Sequence, residues 1–212
     1  MRQTETMEQE NNRLLGGTRM VLASASPRRS ELLRQIGFEP EIIPSQVEEI
    51  VTSTEPAQVV MELSAQKAEE VAARNAAEKE IPIVIGSDTV VSIDGKILGK
   101  PADRAEAVEM ITRLQGRSHH VYTGVTLLQG RRRRTFAVET EVEVYPMTKA
   151  EIESYVDSGD SMDKAGAYGI QGRFAAHIRG IRGSYTNVMG LPGGRLYQEL
   201  KGLLEEGDGG NA

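Results

Sequence analysis

The sequence contains no cysteine, has few aromatic residues and carries more acidic than basic side chains. Without cysteine the chain has no disulfide bond, no thiolate metal ligand and no cysteine nucleophile. The formal net charge of -6 disfavours general binding to nucleic acids, which requires a basic surface. No apolar run approaches the roughly 18 residues of a membrane span, so we expect no membrane partner. These absences fit a reducing compartment, and we expect a cytoplasmic protein.

The length and the two ends of the chain predict one domain with unstructured termini. A chain of 212 residues, 39% hydrophobic and 26% charged, is long enough for one domain with a single core or with two lobes. The first stretch is polar and lacks the apolar segment of a secretory signal, and the end of the chain is polar and glycine-rich. We therefore expect a disordered extension over 1–18, a single domain over 19–204 and a disordered tail over 205–212.

Hydrophobic patterning predicts an α/β protein with a mixed, curved sheet and flanking helices. Short apolar or alternating runs indicate the strands, and helical spacing indicates the helices. Capping boxes are predicted for Asp103 with Glu106 and for Thr148 with Glu151. The predicted strands cover 20–23, 39–44, 81–85, 90–93, 96–98, 120–128 and 135–145, and the predicted helices cover 27–36, 56–78, 103–115 and 148–158, with a short helix at the end of the chain.

The segment from Ser26 to Arg29 joins a predicted strand to a predicted helix. Ser26 suits the N-cap position and Pro27 suits the first turn. The start of a helix offers unpaired N–H groups and partial positive charge, and two arginines there oppose the helix dipole unless an anion is bound. The pattern therefore indicates a phosphate site formed by Ser26, Arg28 and Arg29. The alternative is a surface helix with solvated arginines.

Asp88 and Thr89 lie in the segment 86–89, which directly follows the predicted buried strand over 81–85. In open α/β sheets, ligands bind at the carboxyl ends of the strands. An aspartate at such a place holds Mg²⁺ through its oxygen atoms or accepts a proton from water. The alternative for Asp88 is a role as a turn or capping residue.

Three lysines, Lys67, Lys100 and Lys164, are of interest as a group. Each one alone is typical of a protein surface, but their recurrence in an acidic chain, beside the arginines at the helix start, favours a polyanionic ligand such as a triphosphate. Glu49, one of two adjacent acids, is by default a loop charge. With Asp88 it is also a candidate ligand for a divalent metal.

The segment 165–172 is rich in glycine and apolar residues and ends beside Gln171. Glycine permits close backbone approach or a positive φ angle, and Gln171 carries both a donor and an acceptor, the pair of groups that reads the edge of a base. A flexible surface loop is the alternative.

Two other features are predicted to carry no function. The basic run 131–134 is expected to be solvated, and His119 and His120 point to opposite faces of a strand, so they do not share a metal ion.

Six segments of this sequence occur in the order found in the Maf family. They are SASPRRSELL at 24–33, GSDTVV at 86–91, LGKP at 98–101, HVYTGV at 120–125, DKAGAYGIQG at 163–172 and GLP at 190–192. The chain resembles that family from about Arg19 to Leu204. The resemblance implies a fold similar to that of the inosine-triphosphate pyrophosphatases, with two lobes around a central cleft, and a homodimer.

The same resemblance implies hydrolysis of a nucleoside triphosphate between its α- and β-phosphates, with Mg²⁺ or Mn²⁺ as cofactor. Asp88 matches the position treated as proton acceptor in the family. Arg28, Thr89 and Gln171 match positions tied to substrate choice. The segment 163–172 looks like that of the dTTP/UTP subgroup, so we expect dTTP and UTP as substrates, with modified pyrimidine nucleotides as further candidates.

The expected mechanism is direct attack of water on the α-phosphorus. Arg28, Arg29, Lys67, Lys100 and Lys164 are expected to neutralise the triphosphate, while Asp88 holds the metal with Glu49, deprotonates the water, or does both. Three alternatives remain open. They are a 7-methyl-GTP pyrophosphatase of the same family, a non-catalytic nucleotide-sensing or cell-division binding protein, and a phosphatase that releases orthophosphate.

Overall fold

The computed structural model describes residues 7–77 and 79–208, and this part of the chain contains one seven-stranded sheet with helices against both faces. The strands are β1 (Met20–Leu22), β2 (Glu41–Ile42), β3 (Ile83–Ile93), β4 (Lys96–Leu98), β5 (Ser118–Gln129), β6 (Arg132–Val144) and β7 (Ile178–Arg182). The helices are α1 (Met7–Leu15), α2 (Pro27–Gln35), α3 (Pro56–Arg74), α4 (Arg104–Leu114), α5 (Lys149–Asp157), α6 (Tyr185–Val188) and α7 (Gly193–Asp208), with two 3₁₀ helices at Ala165–Ala167 and Arg173–His177.

The sheet is mixed, as the alternation of predicted helices and strands indicated. Its order is β2-β1-β3-β5-β6-β7, and β4 pairs with β3. Strand β1 is parallel to β2 and to β3, whereas β3, β5, β6 and β7 are joined by antiparallel pairs. The parallel part requires a long crossover between β1 and β3, and α3 lies in that crossover. The prediction of an α/β fold with a mixed sheet and flanking helices is confirmed.

The two largest hydrophobic clusters lie at opposite ends of β3. Ile83 and Ile85 pack with side chains of α2 and α7, and Val91 and Ile93 pack with side chains of α4 and α5. Asp88 lies on the same strand between these two pairs of residues. The strand therefore connects two packed regions, which correspond to the two lobes expected on either side of a cleft.

The structure corrects the predicted end of the central strand. Segment 86–89 does not follow a strand that stops at Ile85, because β3 continues without a break to Ile93. The reason is tertiary: β5 pairs with β3 through this whole segment, with Asp88 opposite Gly124. The rule about carboxyl ends still applies to the parallel part of the sheet. Strand β1 ends at Leu22, opposite Ile85, so Asp88 lies three positions beyond the end of its parallel neighbour.

Helix α3 lies unusually close to the sheet. A Cβ atom on Gly86 would be 2.0 Å from the carbonyl oxygen of Ser64, and one on Gly124 would be 2.1 Å from the carbonyl oxygen of Val60. Only glycine at these two strand positions leaves room for the helix backbone. The close packing brings the side chain of Lys67, one turn after Ser64, to Asp88 of β3.

Several predicted helix ends differ from the structure. The capping box of Thr148 and Glu151 is confirmed. At Asp103 only half of the predicted box forms: its side chain accepts from the backbone N–H of Glu106, but Glu106 Oε2 accepts from Ala102. Ser26 occupies the predicted N-cap position of α2, but its side chain makes no capping hydrogen bond. The helix predicted over 56–78 ends at Arg74, residue 78 lies outside the described residues, and the strand predicted over 39–44 spans only Glu41–Ile42.

The predicted disorder of the two termini also differs from the structure. The extension predicted over 1–18 contains α1, where Nδ2 of the buried Asn11 donates to the carbonyl oxygen of Ile36 at 2.7 Å. Part of the predicted tail, 205–208, belongs to α7. The predictions for 1–6 and 209–212 lie outside the described residues. Among the described helices, none combines the length and the apolar character that crossing a membrane requires.

Candidate active site

A cavity of about 1060 Å³ lies where β1 ends and β3 continues. Its wall is formed by the β1–α2 junction, α3, β3, the segment after β4 and the segment 163–172. Five cationic and three acidic side chains face it, although the whole chain is acidic. The cavity wall includes every residue predicted for the site, namely Ser26, Arg28, Arg29, Glu49, Lys67, Asp88, Thr89, Lys100, Lys164 and Gln171.

Lys67 joins the two acids that were predicted to hold a metal. Its Nζ atom is 2.5 Å from Asp88 Oδ1 and 2.8 Å from Glu49 Oε1. The side chains of Lys67 and Asp88 are mostly buried, whereas that of Glu49 is half exposed. The three residues come from a loop, a helix and a strand, so only the tertiary fold brings them together.

The two carboxylates suit a divalent cation. Asp88 and Glu49 each direct one oxygen to the same ammonium group, so their carboxylates converge on one small region beside the cavity. Mg²⁺ is commonly held by one or two carboxylates, with phosphate and water oxygens completing its shell. Within the described residues no cluster of three or more His, Asp or Glu side chains could hold a metal by itself. The pair therefore fits a metal that arrives with a phosphate ligand better than a metal bound by protein alone.

Arg29 is held by three different parts of the chain. Its Nε donates to the carbonyl oxygen of Gly190 at 2.8 Å, its Nη1 to Ser24 Oγ at 2.9 Å and its Nη2 to Thr89 Oγ1 at 3.1 Å. Burial lowers the pKa of the Arg29 guanidinium, an effect that the nearby carboxylate of Asp88 opposes. The arginine is thus a rigid cation in the wall of the cavity and not a solvated one.

A buried chain of hydroxyl groups continues from Thr89 into the sheet. Oγ1 of Thr89 lies 2.9 Å from Oγ1 of Thr123, which donates to the carbonyl oxygen of Asn187 at 2.9 Å. Two residues earlier, on the same face of β3, Ser87 Oγ donates to the carbonyl oxygen of Gly190 at 3.0 Å. Strand β3 and the segment around 187–190 are therefore fixed to each other by side-chain hydrogen bonds.

Arg28 and Lys164, predicted to bind phosphate, are paired with acids in this structure. Arg28 Nη1 lies 3.1 Å from Asp163 Oδ2, and Lys164 Nζ lies 2.6 Å from Asp163 Oδ1 and 3.0 Å from Asp160 Oδ1. The pKa of Asp163 is lowered: partial burial raises it, but the hydrogen bonds from Lys164 and Arg28 outweigh that effect. A phosphate group entering here competes with carboxylate groups for the same two cations.

Lys100 and Gln171 lie at the exposed margin of the cavity. Gln171 belongs to the segment 163–172, in which two glycines lie close to the side chains of Lys164 and Asp160. A Cβ atom on Gly169 would be 2.6 Å from the Lys164 side chain, and one on Gly172 would be 2.2 Å from Asp160 Oδ2. The prediction that these glycines permit close approach is confirmed, but the group that approaches is the protein's own side chain.

His119 holds the segment 163–172 through a contact with Tyr168. Its Nε2 lies 2.7 Å from the hydroxyl of Tyr168, and both side chains are buried. Burial, and to a smaller extent the neighbouring His120, lowers the pKa of His119 to about 3. His120 is half exposed and pairs with Glu139 at 2.7 Å, so the two histidines lie on opposite faces, as predicted. The basic run 131–134 forms ion pairs at the surface, such as Arg133 with Glu69.

Sequence reasoning found the side chains in the cavity wall but not those that support them. Arg29 and Thr89 are held by a hydrogen-bond network that includes Ser24, Thr123, Asn187 and the carbonyl group of Gly190. Lys164 is held by Asp160 and Asp163. All of them except Asp160 and Asn187 fall in the six quoted segments, which was a usable signal. Their roles depend on contacts between positions that are distant in sequence, which no local pattern reveals.

Comparison with known proteins gives a consistent result. A family model described as "Maf-like protein" matches residues 19–203. A protein of Agathobacter rectalis named dTTP/UTP pyrophosphatase is 53% identical over 200 residues, covering 88% of this chain and 98% of the relative. Proteins with the same name from Carboxydothermus hydrogenoformans and Bacillus anthracis are 51% and 46% identical, and each comparison covers 86% of this chain and 97% and 94% of the relative, respectively.

Proposed function

The chain belongs to the family of Maf-like proteins, and from this membership together with the cavity we propose that it hydrolyses dTTP and UTP to the monophosphate and pyrophosphate. The chemistry of the cavity supports an enzyme for a polyanionic substrate. Five cationic side chains face a space of about 1060 Å³, large enough for a nucleotide, and one buried strand carries an aspartate into that space. The names of the relatives support the choice of dTTP and UTP.

The observation that carries the proposal is the position of Asp88 among the cations. Asp88 is fixed on β3 and accepts a hydrogen bond from Lys67, and Arg29 lies close enough for its charge to interact with that of Asp88. A purely binding pocket for phosphate has no need of a carboxylate at its centre, because that charge repels the ligand. An acid at this place is suited to accept a proton from the attacking water.

In the proposed reaction a water oxygen attacks the α-phosphorus, the bond between the α-phosphorus and the bridging oxygen breaks, and pyrophosphate leaves. Asp88 accepts the proton of the water. Arg28, Arg29, Lys67, Lys100 and Lys164 hold the phosphate oxygens and stabilise the charge of the leaving group. A bound Mg²⁺ or Mn²⁺, held by Asp88 and Glu49, would add charge neutralisation on the phosphates. No side chain needs to form a covalent intermediate.

Base choice is assigned to the segment that contains Gln171. The amide group of Gln171 can donate to and accept from a pyrimidine edge, and a base that leaves these groups unpaired is bound less well. Thr89 and Arg28 line the same cavity and complete the surface that faces the substrate. A nucleoside triphosphate substrate is consistent with work in the cytoplasm, and the homodimer implied by the family remains a prediction to be measured by light scattering.

The test is a substrate panel with the purified protein in Mg²⁺ or Mn²⁺. The panel contains dTTP, UTP, CTP, GTP, ATP and 7-methyl-GTP, with pyrophosphate and orthophosphate measured separately. We expect pyrophosphate from dTTP and UTP. Pyrophosphate from 7-methyl-GTP alone would overturn the assigned role of Gln171, and orthophosphate as the primary product would identify a phosphatase. Nucleotide binding without any product would favour a non-catalytic sensor.

A further inference from the structure

We propose that Thr123 is a positioning residue that fixes Arg29 for phosphate binding through Thr89, an inference that rests on the proposed function. Thr123 is completely buried and is absent from the wall of the cavity, so it cannot touch a substrate. It nevertheless stands two hydrogen bonds away from the Arg29 guanidinium. Its influence on the reaction would therefore be indirect.

The hydrogen bonds have a defined direction. A hydroxyl group has a single proton, and that of Thr123 is donated to the carbonyl oxygen of Asn187. Thr123 can therefore only accept in its contact with Thr89, so the proton in that contact comes from Thr89. With its proton directed to Thr123, Thr89 Oγ1 presents lone pairs to its other partner, which is Nη2 of Arg29. Each bond in the chain thus requires the orientation of the next.

The orientation of Thr89 matters because most N–H groups of the Arg29 guanidinium are already bound to the protein. Three of its five N–H groups are bound, to Gly190, Ser24 and Thr89, and these bonds use Nε and one hydrogen of each Nη atom. One hydrogen on each Nη remains, and Arg29 lines the cavity. These remaining N–H groups are available to donate to the oxygens of a phosphate group. A rotation of the guanidinium plane would change the direction of both remaining N–H groups together and weaken their hydrogen bonds to a phosphate.

Replacing Thr123 with valine tests this chain of contacts. Valine has nearly the same shape, but it accepts no hydrogen bond, so the Thr89 hydroxyl is free to turn its proton elsewhere and Nη2 of Arg29 loses a fixed acceptor. We expect kcat/KM for dTTP and UTP to fall by about 5- to 30-fold, mostly through a higher KM, the size expected for one lost hydrogen bond. Thr123→Ser keeps the hydroxyl and should recover most of the wild-type value.

A merely structural role is separated by a matched variant on the same strand. Thr126 is also on β5 and completely buried, and its Oγ1 contacts two hydroxyl groups, Ser64 Oγ at 3.0 Å and Thr135 Oγ1 at 3.1 Å. Thr126→Val should lower the melting temperature about as much as Thr123→Val does, but it should leave kcat/KM within twofold of wild type. Equal losses of kcat/KM in the two variants would overturn the proposal.

The decisive experiment combines kinetics with direct binding of inorganic pyrophosphate, measured by calorimetry in the presence of Mg²⁺. Thr89→Val, Thr123→Val and the double variant form a cycle. If Thr123 acts through Thr89, the second substitution adds little to the first in both readouts, whereas independent effects that multiply would refute the inference. A wild-type protein that binds pyrophosphate but hydrolyses no triphosphate would refute the proposed function alone, and the binding cycle would still decide the role of Thr123.

Discussion

The Nζ atom of Lys67, on a helix, lies 2.5 Å from Oδ1 of Asp88, in the middle of a strand. The contact depends on how closely that helix approaches the sheet, because Lys67 follows Ser64, whose carbonyl oxygen lies over Gly86. The chemistry of the cavity and the packing of the fold are thus coupled through one lysine. A substitution that pushes this helix away from the sheet should therefore also lower the activity.

Asp88→Asn should lower kcat for dTTP by at least about 100-fold, because the amide cannot accept the proton of the attacking water. The shape of the side chain is kept, so the melting temperature should change little. Asp103→Asn is the control: it changes an exposed aspartate at the start of α4 to another good capping residue, and activity should be unchanged. Near-normal turnover in Asp88→Asn would disprove the assigned role.

Glu49→Gln should raise the concentration of Mg²⁺ that gives half-maximal activity, by roughly tenfold, because it removes one of the two carboxylate ligands that we propose for the metal. The maximal rate at saturating metal should remain within a few-fold of wild type. Glu48→Gln is the matched control, since Glu48 is the adjacent acid but does not line the cavity. Identical metal titrations for the two variants would remove Glu49 from the metal site, and full activity after chelation of all divalent ions would remove the metal itself.

Gly124→Ala should destabilise the protein by about 3 kcal/mol or more, because the new methyl group would overlap the backbone of α3 at Val60. Any relief moves α3 away from the sheet and lengthens the contact between Lys67 and Asp88, so kcat/KM should also fall. Gly180→Ala, on β7, meets no heavy atom within 4 Å and is the control. Chemical denaturation of both variants measures the difference. Equal unfolding free energies would show that α3 can move away from the sheet without destabilising the protein.

The low pKa of His119 makes stability depend on pH in a defined direction. Its pKa is about 3 in the folded state, whereas the ordinary value is 6.5. Between pH 6.5 and 3, therefore, the imidazole is protonated in the unfolded chain and neutral in the folded chain. The unfolding free energy should therefore fall as the pH drops from 6.5 towards 3, by up to about 1.4 kcal/mol per pH unit from this group.

The variant His119→Gln removes the ionisable group and should flatten the slope of unfolding free energy against pH between 6 and 4. The matched control is His120→Gln, on the exposed face of the same strand. Chemical denaturation at a series of pH values supplies the comparison. An unchanged slope in His119→Gln would contradict a buried neutral imidazole at this position.

The case of Asp88 shows both the strength and the weakness of sequence-based prediction. The sequence indicates Asp88 as a site residue because it follows a buried apolar run, and Asp88 does line the cavity. The local reason was wrong, since the strand continues to Ile93 through pairing with β5. Asp88 does lie beyond the end of a strand, but that strand is the parallel neighbour β1, whose end is not visible in the segment around Asp88.

The helix ends show the same division. Thr148 and Glu151 form the predicted box because both partners are three residues apart and need nothing else. The box at Asp103 is half formed because the Glu106 carboxylate accepts instead from the backbone N–H of Ala102, in the loop before the helix. Local hydrogen bonds are therefore predictable only where no alternative partner is within reach.

The sequence by itself determined the class of the fold, the family and the side chains that face the cavity, because alternation, capping residues and ordered segments are properties of short stretches of chain. Only the tertiary structure decided that Lys67 lies between Glu49 and Asp88 and that Thr123 stands behind Thr89 and Arg29. These contacts join positions far apart in sequence. They form because two glycines admit a helix against the sheet and because long antiparallel pairing extends β3 past its parallel neighbour.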